Sequence, residues 1–531
     1  MTTEGKPRNP ASPTLKYKVA RSEKLGRYLK AAKNLTAGEV ILREKPIAVG
    51  PLTSSKDFLC FACLRLLPNI KRETLYVCSK CKIAPLCNVN CEKEPKHHTP
   101  GECEIFKSTK DLWTSSLESI IGVLLPLRLW LLKQRDPELW RRVQSMESHV
   151  DVRRNTSVWK DREVNVINVM TSLNLIPEDD PSIAELLQQL CGILDVNTFE
   201  LRSPGGLDGL LLRGLYAEAS LMAHDCRGNT HLTVDNDFQL TVYASLPIKE
   251  DEVIFFNYTS SLLGTLGRRE HLRTGKYFVC ECSLCRDPYE MESYMSCILC
   301  PRCREGYIGM QNPLTNFPYE KGTKWQCDRC RRSIGGRLVR ATLNITRTLI
   351  DETDEYDVKG LENLTTKLSR SFHPNHYLML SLKQKLLAAY RKEVATPNPK
   401  KKMMQKMLDM CREMFNVLEI VEPGISRLKG IMLYEMHLPL VLLANRAYSA
   451  REISSVELAS RLEEAGSLLK KSLTMLLLEP ADTPEGKLAK RALQELKALN
   501  QNIVDVKTIS TAEDTRGRDK KKLQKNKSNK K

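Results

Sequence analysis

The sequence predicts an α+β chain built from short strands, cysteine-rich metal modules and a long helical C-terminal part. Three features carry that prediction. Seven cysteines and two histidines crowd between Cys60 and Cys103. Apolar and polar residues alternate with a period of two over 15–50 and again over 230–257, as in half-buried strands. From about 340 to 505 the apolar residues recur every three or four positions, as on one face of a helix.

At 531 residues the chain is long enough for two or three domains with their own cores. The opening MTTEGKPRNPASP has no apolar stretch of the kind a secretory leader carries. The longest apolar run, Ile120 to Leu132, is interrupted by Pro126 and Arg128 and is too short to span a bilayer. An intracellular protein of the cytoplasm, the nucleus or both is expected, with no membrane partner. In a reducing compartment, 18 cysteines point to metal rather than disulfides. The net charge of +18 is uneven: residues 516–531 hold nine Lys/Arg against one Asp and so supply +8 of it. That run is polar and lacks aromatics, which predicts disorder, as a solvated tail or as a nuclear-import or nucleic-acid contact. The remaining +10 is no footprint of a dedicated nucleic-acid binder.

Taken in order, residues 15–50 read as short antiparallel strands (Tyr17-Lys18-Val19-Ala20, Glu39-Val40-Ile41-Leu42) with Gly26 and Gly38 as turns. Then come Cys60-x2-Cys63, Cys78-x2-Cys81, Cys87-x3-Cys91, His97-His98 and Cys103. A Cys-x2-Cys turn presents two sulfurs to one tetrahedral ion, and eight ligands make two closed zinc sites. His98, followed by Thr99-Pro100-Gly101, is taken as the eighth ligand, with His97 as the alternative. Residues 105–195 read as helical, with stripes Leu112, Leu117, Ile121, Leu125 and Ile183, Leu186, Leu187, Leu190. Strands return at Thr230–Val234 and at Leu240–Tyr243, joined across Asp235-Asn236-Asp237, and Val253-Ile254-Phe255-Phe256 suits a buried strand.

A second cysteine zone covers 280–330. Cys300-x2-Cys303 and Cys327-x2-Cys330 form a four-cysteine set with ribbon-like spacing around Gly306 and Gly309, which predicts a zinc site of its own. Beyond 340, the stripes Leu378, Leu382, Leu386, Tyr390 and Leu408, Cys411, Phe415, Leu418 mark helices. Breaks fall at Thr396–Pro399, Pro423-Gly424 and Glu479-Pro480. This fits stacked hairpins like a tetratricopeptide (TPR) array, without a clean repeat of about 34 residues, or an ordinary helical bundle.

Several ordered motifs carry a family resemblance. Gly214-Leu215-Tyr216, then Ala223-His224-Asp225-Cys226-Arg227-Gly228-Asn229-Thr230, then Glu250-Asp251-Glu252-Val253-Ile254 leading to Asn257-Tyr258, resembles the core of a SET domain. Leu25–Leu29 and Ala37–Ile41 resemble its separate N-terminal part, and Val196-Asn197-Thr198-Phe199 its Asn-x-Phe motif. The cysteine spacing from 60 to 103 resembles a MYND finger. From residue 15 to about 500 the chain is therefore similar to the SET-and-MYND (SMYD) protein lysine methyltransferases, most of all their arthropod-expanded branch. The fold this implies is a split SET β-fold with an inserted MYND zinc finger, a zinc-bound post-SET region and an all-α TPR-like C-terminal domain. The corresponding segments are 15–55 and 201–262 for SET, 60–103 for the finger, 104–200 for a helical insertion, 263–335 for the post-SET region and ribbon, 336–505 for the helical domain and 506–531 for a disordered basic tail.

The resemblance also implies ligands and roles. Cys60, Cys63, Cys87 and Cys91 would share one zinc, and Cys78, Cys81, His98 and Cys103 the other. Cys280, Cys282 and Cys285 resemble the post-SET cluster, whose fourth ligand would be Cys226. With Cys300, Cys303, Cys327 and Cys330 this leaves Cys191, Cys297 and Cys411 as plain thiols. The implied reaction moves a methyl group from S-adenosylmethionine to a lysine of a histone or non-histone protein. Tyr258 would be catalytic and would also line the cofactor site. Gly26 and Arg27 would lie by the methionine end, Asn197 and His224 would hold polar groups, and Phe278 would stack near the adenine. The finger would hold proline-rich peptides, and a monomer is expected. Three positions depart from the family pattern: Ala223 replaces an asparagine, Tyr28 a glycine, and Lys276 stands where a second channel tyrosine falls, with Tyr277 one residue late. The alternative they favour is a catalytically weak or inactive scaffold that recruits partners through the finger and helical domain.

Overall fold

Burial divides the apolar residues between two cores, one in each of two units. The computed structural model describes residues 15–52, 58–67, 74–109, 117–177, 180–205 and 211–528, with side chains as far as 508. Leu112 of the first helical stripe lies outside them, as do the first 14 residues.

The first unit comprises the chain up to His224 and Gly228–Phe256. Strands β1 (Tyr17–Ser22) and β2 (Gly26–Ala31) form an antiparallel hairpin. Gly26 has φ +65° with open space around it, so the left-handed backbone, not room, selects glycine. Strands β3 (Val40–Glu44) and β4 (Ala48–Pro51) find their partners far along the chain. Between lie β5 (Phe58–Leu59), β6 (Leu66–Leu67) and helices α1 (Val89–Lys93), α2 (Pro100–Ser108), α3 (Leu117–Arg135), α4 (Pro137–Gln144), α5 (Val150–Arg153), α6 (Ser157–Arg162), α7 (Asn168–Ser172) and α8 (Pro181–Asn197). Then β7 (Thr198–Arg202) and β8 (Leu211–Leu215) join β4 in the order β4-β8-β7. After β9 (Ala223–His224), strands β10 (Thr230–Val234) and β11 (Leu240–Ala244) add β3 in the order β10-β11-β3.

The alternation in β11 does what its period predicts: Leu240, Val242 and Ala244 are fully buried while Thr241 and Tyr243 face the other side. Helix α3 packs on β4 so closely that a Cβ on Gly50 would stand 2.6 Å from that of Leu125. Pro126 sits within α3 without ending it. The expected strand Val253–Phe256 is irregular: Val253 makes a single antiparallel bridge to Lys30 of β2, with the Ile254 N–H donating to the Leu29 carbonyl (2.9 Å), and β12 (Phe255–Phe256) pairs parallel to β9. Asn229 also binds this segment, its Nδ2 donating to the Val253 carbonyl (2.9 Å) and its Oδ1 accepting from the Phe255 N–H (2.7 Å).

The second unit comprises Asp225–Arg227 and the chain from Asn257 onward. Helices α9 (Thr265–Gly275) and α10 (Ser283–Arg286) precede a four-stranded antiparallel sheet of β13 (Ile298–Leu299), β14 (Tyr307–Met310), β15 (Lys324–Cys327) and β16 (Ser333–Gly335). Helices α11 (Gly336–Glu352), α12 (Val358–Leu368), α13 (Tyr377–Val394), α14 (Lys401–Val421), α15 (Arg427–Ser449), α16 (Ser455–Leu476) and α17 (Pro484–Ser528) follow. Both expected stripes face inward, with Leu378, Leu382, Leu386, Tyr390, Leu408, Cys411 and Leu418 buried and Phe415 partly so. From α14 onward each helix packs mainly on its neighbours in sequence, and all three expected breaks separate helices. Helix α17 extends to Ser528, into the segment expected as a basic tail. After Pro484 no proline interrupts a run rich in Lys, Arg and Gln, which are good helix formers. No helix among the described residues is long and apolar enough to cross a membrane.

One polar cluster anchors the helical part of the first unit. Asp195 on α8 accepts from Arg153 (2.6 Å), Arg162 (3.0 and 3.1 Å) and Arg213 (3.1 Å), which come from three other segments. Arg153 is fully buried and Arg213 nearly so. Removing the carboxylate leaves buried guanidinium charge uncompensated. Asp195→Asn is therefore expected to cost about 3–5 kcal/mol, read by circular dichroism as an earlier thermal transition. A loss under about 0.5 kcal/mol, as at ordinary surface positions, contradicts this role.

Candidate metal centres and active-site residues

The sequence pairs its cysteines locally, and the fold brings those pairs together. Four groups gather their candidate ligand atoms to within 4.8 Å of one another: Cys60, Cys63, Cys87 and Cys91; Cys78, Cys81, His98 and Cys103; Cys226, Cys280, Cys282 and Cys285; and Cys300, Cys303, Cys327 and Cys330. A zinc–sulfur bond of about 2.3 Å places the sulfurs of a tetrahedral site about 3.8 Å apart. Observed separations are 3.5 Å for Cys63–Cys87, 3.8 Å for Cys78–Cys103, 3.5 Å for Cys226–Cys285, 3.6 Å for Cys300–Cys330 and 3.8 Å for Cys303–Cys327. All 18 cysteines are unbridged. The donor sets thus suit a tetrahedral thiophilic ion such as zinc. Cys191, Cys297 and Cys411 stand outside the clusters and are buried.

Four of the five Cys-x2-Cys turns share one backbone solution. The residue after the pair is left-handed, at φ +59° for Leu64, +61° for Lys82, +57° for Arg304 and +58° for Arg331, whereas Arg286 after Cys282 and Cys285 ends helix α10. In three of them its N–H returns to the carbonyl of the first cysteine, as Leu64 to Cys60, Lys82 to Cys78 and Arg304 to Cys300. Each turn thereby points two sulfurs to one side. In the ribbon, Gly306 has no room for a side chain: a Cβ there would stand 2.5 Å from the Cys327 sulfur.

The choice between the two histidines follows from helix capping. Thr99, Pro100 and Glu102 make an N-terminus in which the Thr99 hydroxyl accepts from the Glu102 N–H. Thr99 is thereby committed to starting α2, and His98, just before it, turns inward. His98 Nε2 stands 3.8 Å from the Cys81 sulfur, and its Nδ1 is 2.7 Å from Glu102 Oε1. His97 instead packs against Phe238, with ring centroids 5.4 Å apart.

Glu102 is fully buried and bonds Arg128 at 2.7 and 3.3 Å, while Arg128 also donates to the carbonyls of Val49 (2.8 Å) and Phe61 (2.7 Å). A carboxylate behind a ligand imidazole fixes its tautomer and orientation. In the second unit fully buried Arg268 plays a comparable part. It lies 3.9 Å from the Cys285 sulfur and bonds Glu290 (3.2 Å) and Thr265 (2.8 Å). Glu102, Arg128 and Glu290 had no signal of their own in the sequence beyond the four-residue spacing of His98 and Glu102.

The residues expected around the cofactor divide between the units. In the first, Arg27 donates to the Ser145 carbonyl (2.6 Å) at the end of α4. Asn197, at the end of α8, donates from its amide to Glu147 O (2.8 Å) and Ile193 O (2.9 Å). His224 ends β9, beside Phe256, and Ala223 before it is buried. In the second, Tyr258 meets Phe278 edge to face, with centroids 6.5 Å apart, and the Lys276 ammonium lies 5.7 Å from the centre of the Tyr258 ring. Burial pushes the Tyr258 hydroxyl well above its ordinary pKa, so it stays protonated.

Replacing the carboxylate behind His98 tests the support of its cluster. Glu102→Gln is expected to weaken metal retention by about ten- to a hundredfold, measured as zinc release to a competing chelator. Release unchanged from the parent chain contradicts this support.

No family model matches the chain. The SET domain-containing protein SmydA-8 (isoform A) of Drosophila melanogaster is 24% identical over 377 residues, covering 69% of this chain and 76% of its own. The histone-lysine N-methyltransferase ASHR1 of Arabidopsis thaliana is 23% identical over 443 residues, covering 78% and 85%. The histone-lysine N-methyltransferase SMYD3 of Homo sapiens is 24% identical over 283 residues, covering 51% and 62%. With four thiolate-rich clusters and a mixed helix-and-sheet fold, the chain is similar to the SMYD family of SET-domain proteins.

Proposed function

We propose that the chain is an S-adenosylmethionine-dependent protein-lysine N-methyltransferase, held in shape by four zinc ions in the four clusters. The observation that carries this reading is the setting of Tyr258: an aromatic hydroxyl kept neutral by burial, flanked by Phe278 and by the Lys276 ammonium.

The cofactor supplies a methyl group on a sulfonium. The attacking lysine must be neutral, although its free pKa is about 10.4. Lys276 favours that form, because a resident ammonium disfavours a second positive charge nearby. Tyr258 orients the amine by hydrogen bonding and, being protonated, does not act as a base. The proton the lysine loses goes to solvent. Gly26, Arg27, Asn197 and His224 would hold the methionine end of the cofactor. With its amide hydrogens engaged by Glu147 and Ile193, Asn197 would have Oδ1 left to accept from the cofactor ammonium.

The scaffold reading draws on the same residues. Buried Ala223 offers no side-chain bond where the family has an amide, a loss of about 1–3 kcal/mol. Binding of S-adenosylmethionine to the zinc-loaded chain, measured by calorimetry beside Tyr258→Phe, separates the two readings. The enzyme reading expects a dissociation constant on the order of micromolar in both proteins, with methyl transfer about a hundredfold slower in the variant. No heat at millimolar cofactor leaves the scaffold reading.

A further inference from the structure

Within the second unit a cavity of about 660 Å³ opens between α9, the loop 313–319, α11 and the start of α13. Its size is that of a pocket for a drug-sized ligand. Apolar and aromatic side chains form much of the wall, among them Leu266, Phe317, Tyr319, Trp325 and Leu343. Tyr319 and Trp325 lie with ring planes only 5° apart, and Phe317 is 62% exposed.

The polar part of the wall is unbalanced. Three guanidiniums line it (Arg269, Arg273 and Arg347) against the single carboxylate of Glu270, a net charge of +2. Glu270 is already paired with Arg273 at 2.7 Å. Arg269 is 7% exposed, yet no carboxylate meets it among the described residues. Its terminal nitrogens donate to the carbonyls of Pro313 (2.8 Å), Leu314 (2.7 Å) and Thr315 (3.0 Å), and its Nε–H has no acceptor. Arg347 is exposed and has one neutral partner, the Tyr377 hydroxyl at 3.4 Å.

His376 adds a second unmatched donor. It is fully buried and caps α13, its Nδ1 accepting from the Leu378 N–H at 3.2 Å. Burial pushes its pKa down to about 3, so the ring is neutral and carries its proton on Nε2, which has no partner. A buried cation without a counter-ion and a buried N–H without an acceptor are both costly, and Arg269, His376 and the exposed Arg347 all line this one cavity, whose wall therefore calls for an anionic group. The apolar wall calls for a flat body attached to it.

We propose that this cavity binds a flat, apolar small molecule carrying a single carboxylate. The inference does not rest on the methyl-transfer reading, since none of the residues assigned to that reaction lines the cavity.

Calorimetry on the full-length, zinc-loaded chain tests it with 2-naphthoate as probe and 2-naphthylmethanol as its neutral counterpart. Naphthoate is expected to bind about tenfold more tightly than the alcohol, the worth of one charge-assisted hydrogen bond. Arg347→Gln, at an exposed position, should reduce that difference, and Leu343→Trp, which fills the cavity, should abolish both heats. Equal affinity for the two probes, naphthoate binding unmoved by Arg347→Gln, or no heat with naphthoate at millimolar concentration overturns the proposal. Should Leu343→Trp fail to fold, Arg347→Gln decides the matter.

Discussion

Four gatherings of sulfur hold positions that sequence alone leaves apart. Cys226 must meet Cys280, Cys282 and Cys285, and Cys60 and Cys63 must meet Cys87 and Cys91, each quartet within 4.8 Å. Four thiols brought this close gain nothing from one another, and as thiolates they repel. A tetrahedral dication turns that repulsion into the strongest local attraction, and its binding free energy becomes folding free energy. This matters most in the finger, whose described secondary structure is two two-residue strands and two short helices. Small modules of this kind rarely bury enough apolar surface to fold without a metal or a covalent staple.

Buried cations form the second layer of the same design. Arg128 ties the His98–Glu102 pair to β4 and to the finger backbone at Phe61, so the cluster around His98 and the strand carrying Val49 are fixed by one guanidinium. Arg268 does likewise beside Cys285. A thiolate-rich zinc site carries net negative charge, and a nearby buried arginine offsets it while its hydrogen bonds are met by carbonyls and a carboxylate. Arg269, one residue on, differs in having carbonyls but no anion, and that asymmetry sets the adjoining cavity apart.

Local chemistry was legible in the sequence. Paired cysteine spacings marked the metal-binding pairs and the four-cysteine ribbon set, because a Cys-x2-Cys turn needs only its own backbone, whereas the sharing within the other three quartets was what the family resemblance implied. Period-two alternation located β10 and β11, and helical stripes with proline-marked breaks located most of the C-terminal helices. What stayed hidden depends on partners far away. Nothing in Val40–Glu44 announces β11 as its neighbour, and nothing in Asp195 announces three arginines. The segment Val253–Phe256 meets β2 at Val253, β9 at Phe255–Phe256 and the side chain of Asn229, partners that periodicity does not register. Helix α17 runs on because nothing stops it, whereas composition argued only from polarity and charge. His98 over His97 was readable in part, since Thr99, Pro100 and Glu102 form a recognisable helix start.

Metal in those clusters underlies both the fold and the site, and metal content measures it directly. Inductively coupled plasma mass spectrometry on the purified chain, with a thiol count on the same sample, predicts four zinc ions per chain, one for each cluster, and no disulfides. A folded chain that carries no zinc, or one whose cluster cysteines are joined in disulfides, contradicts it.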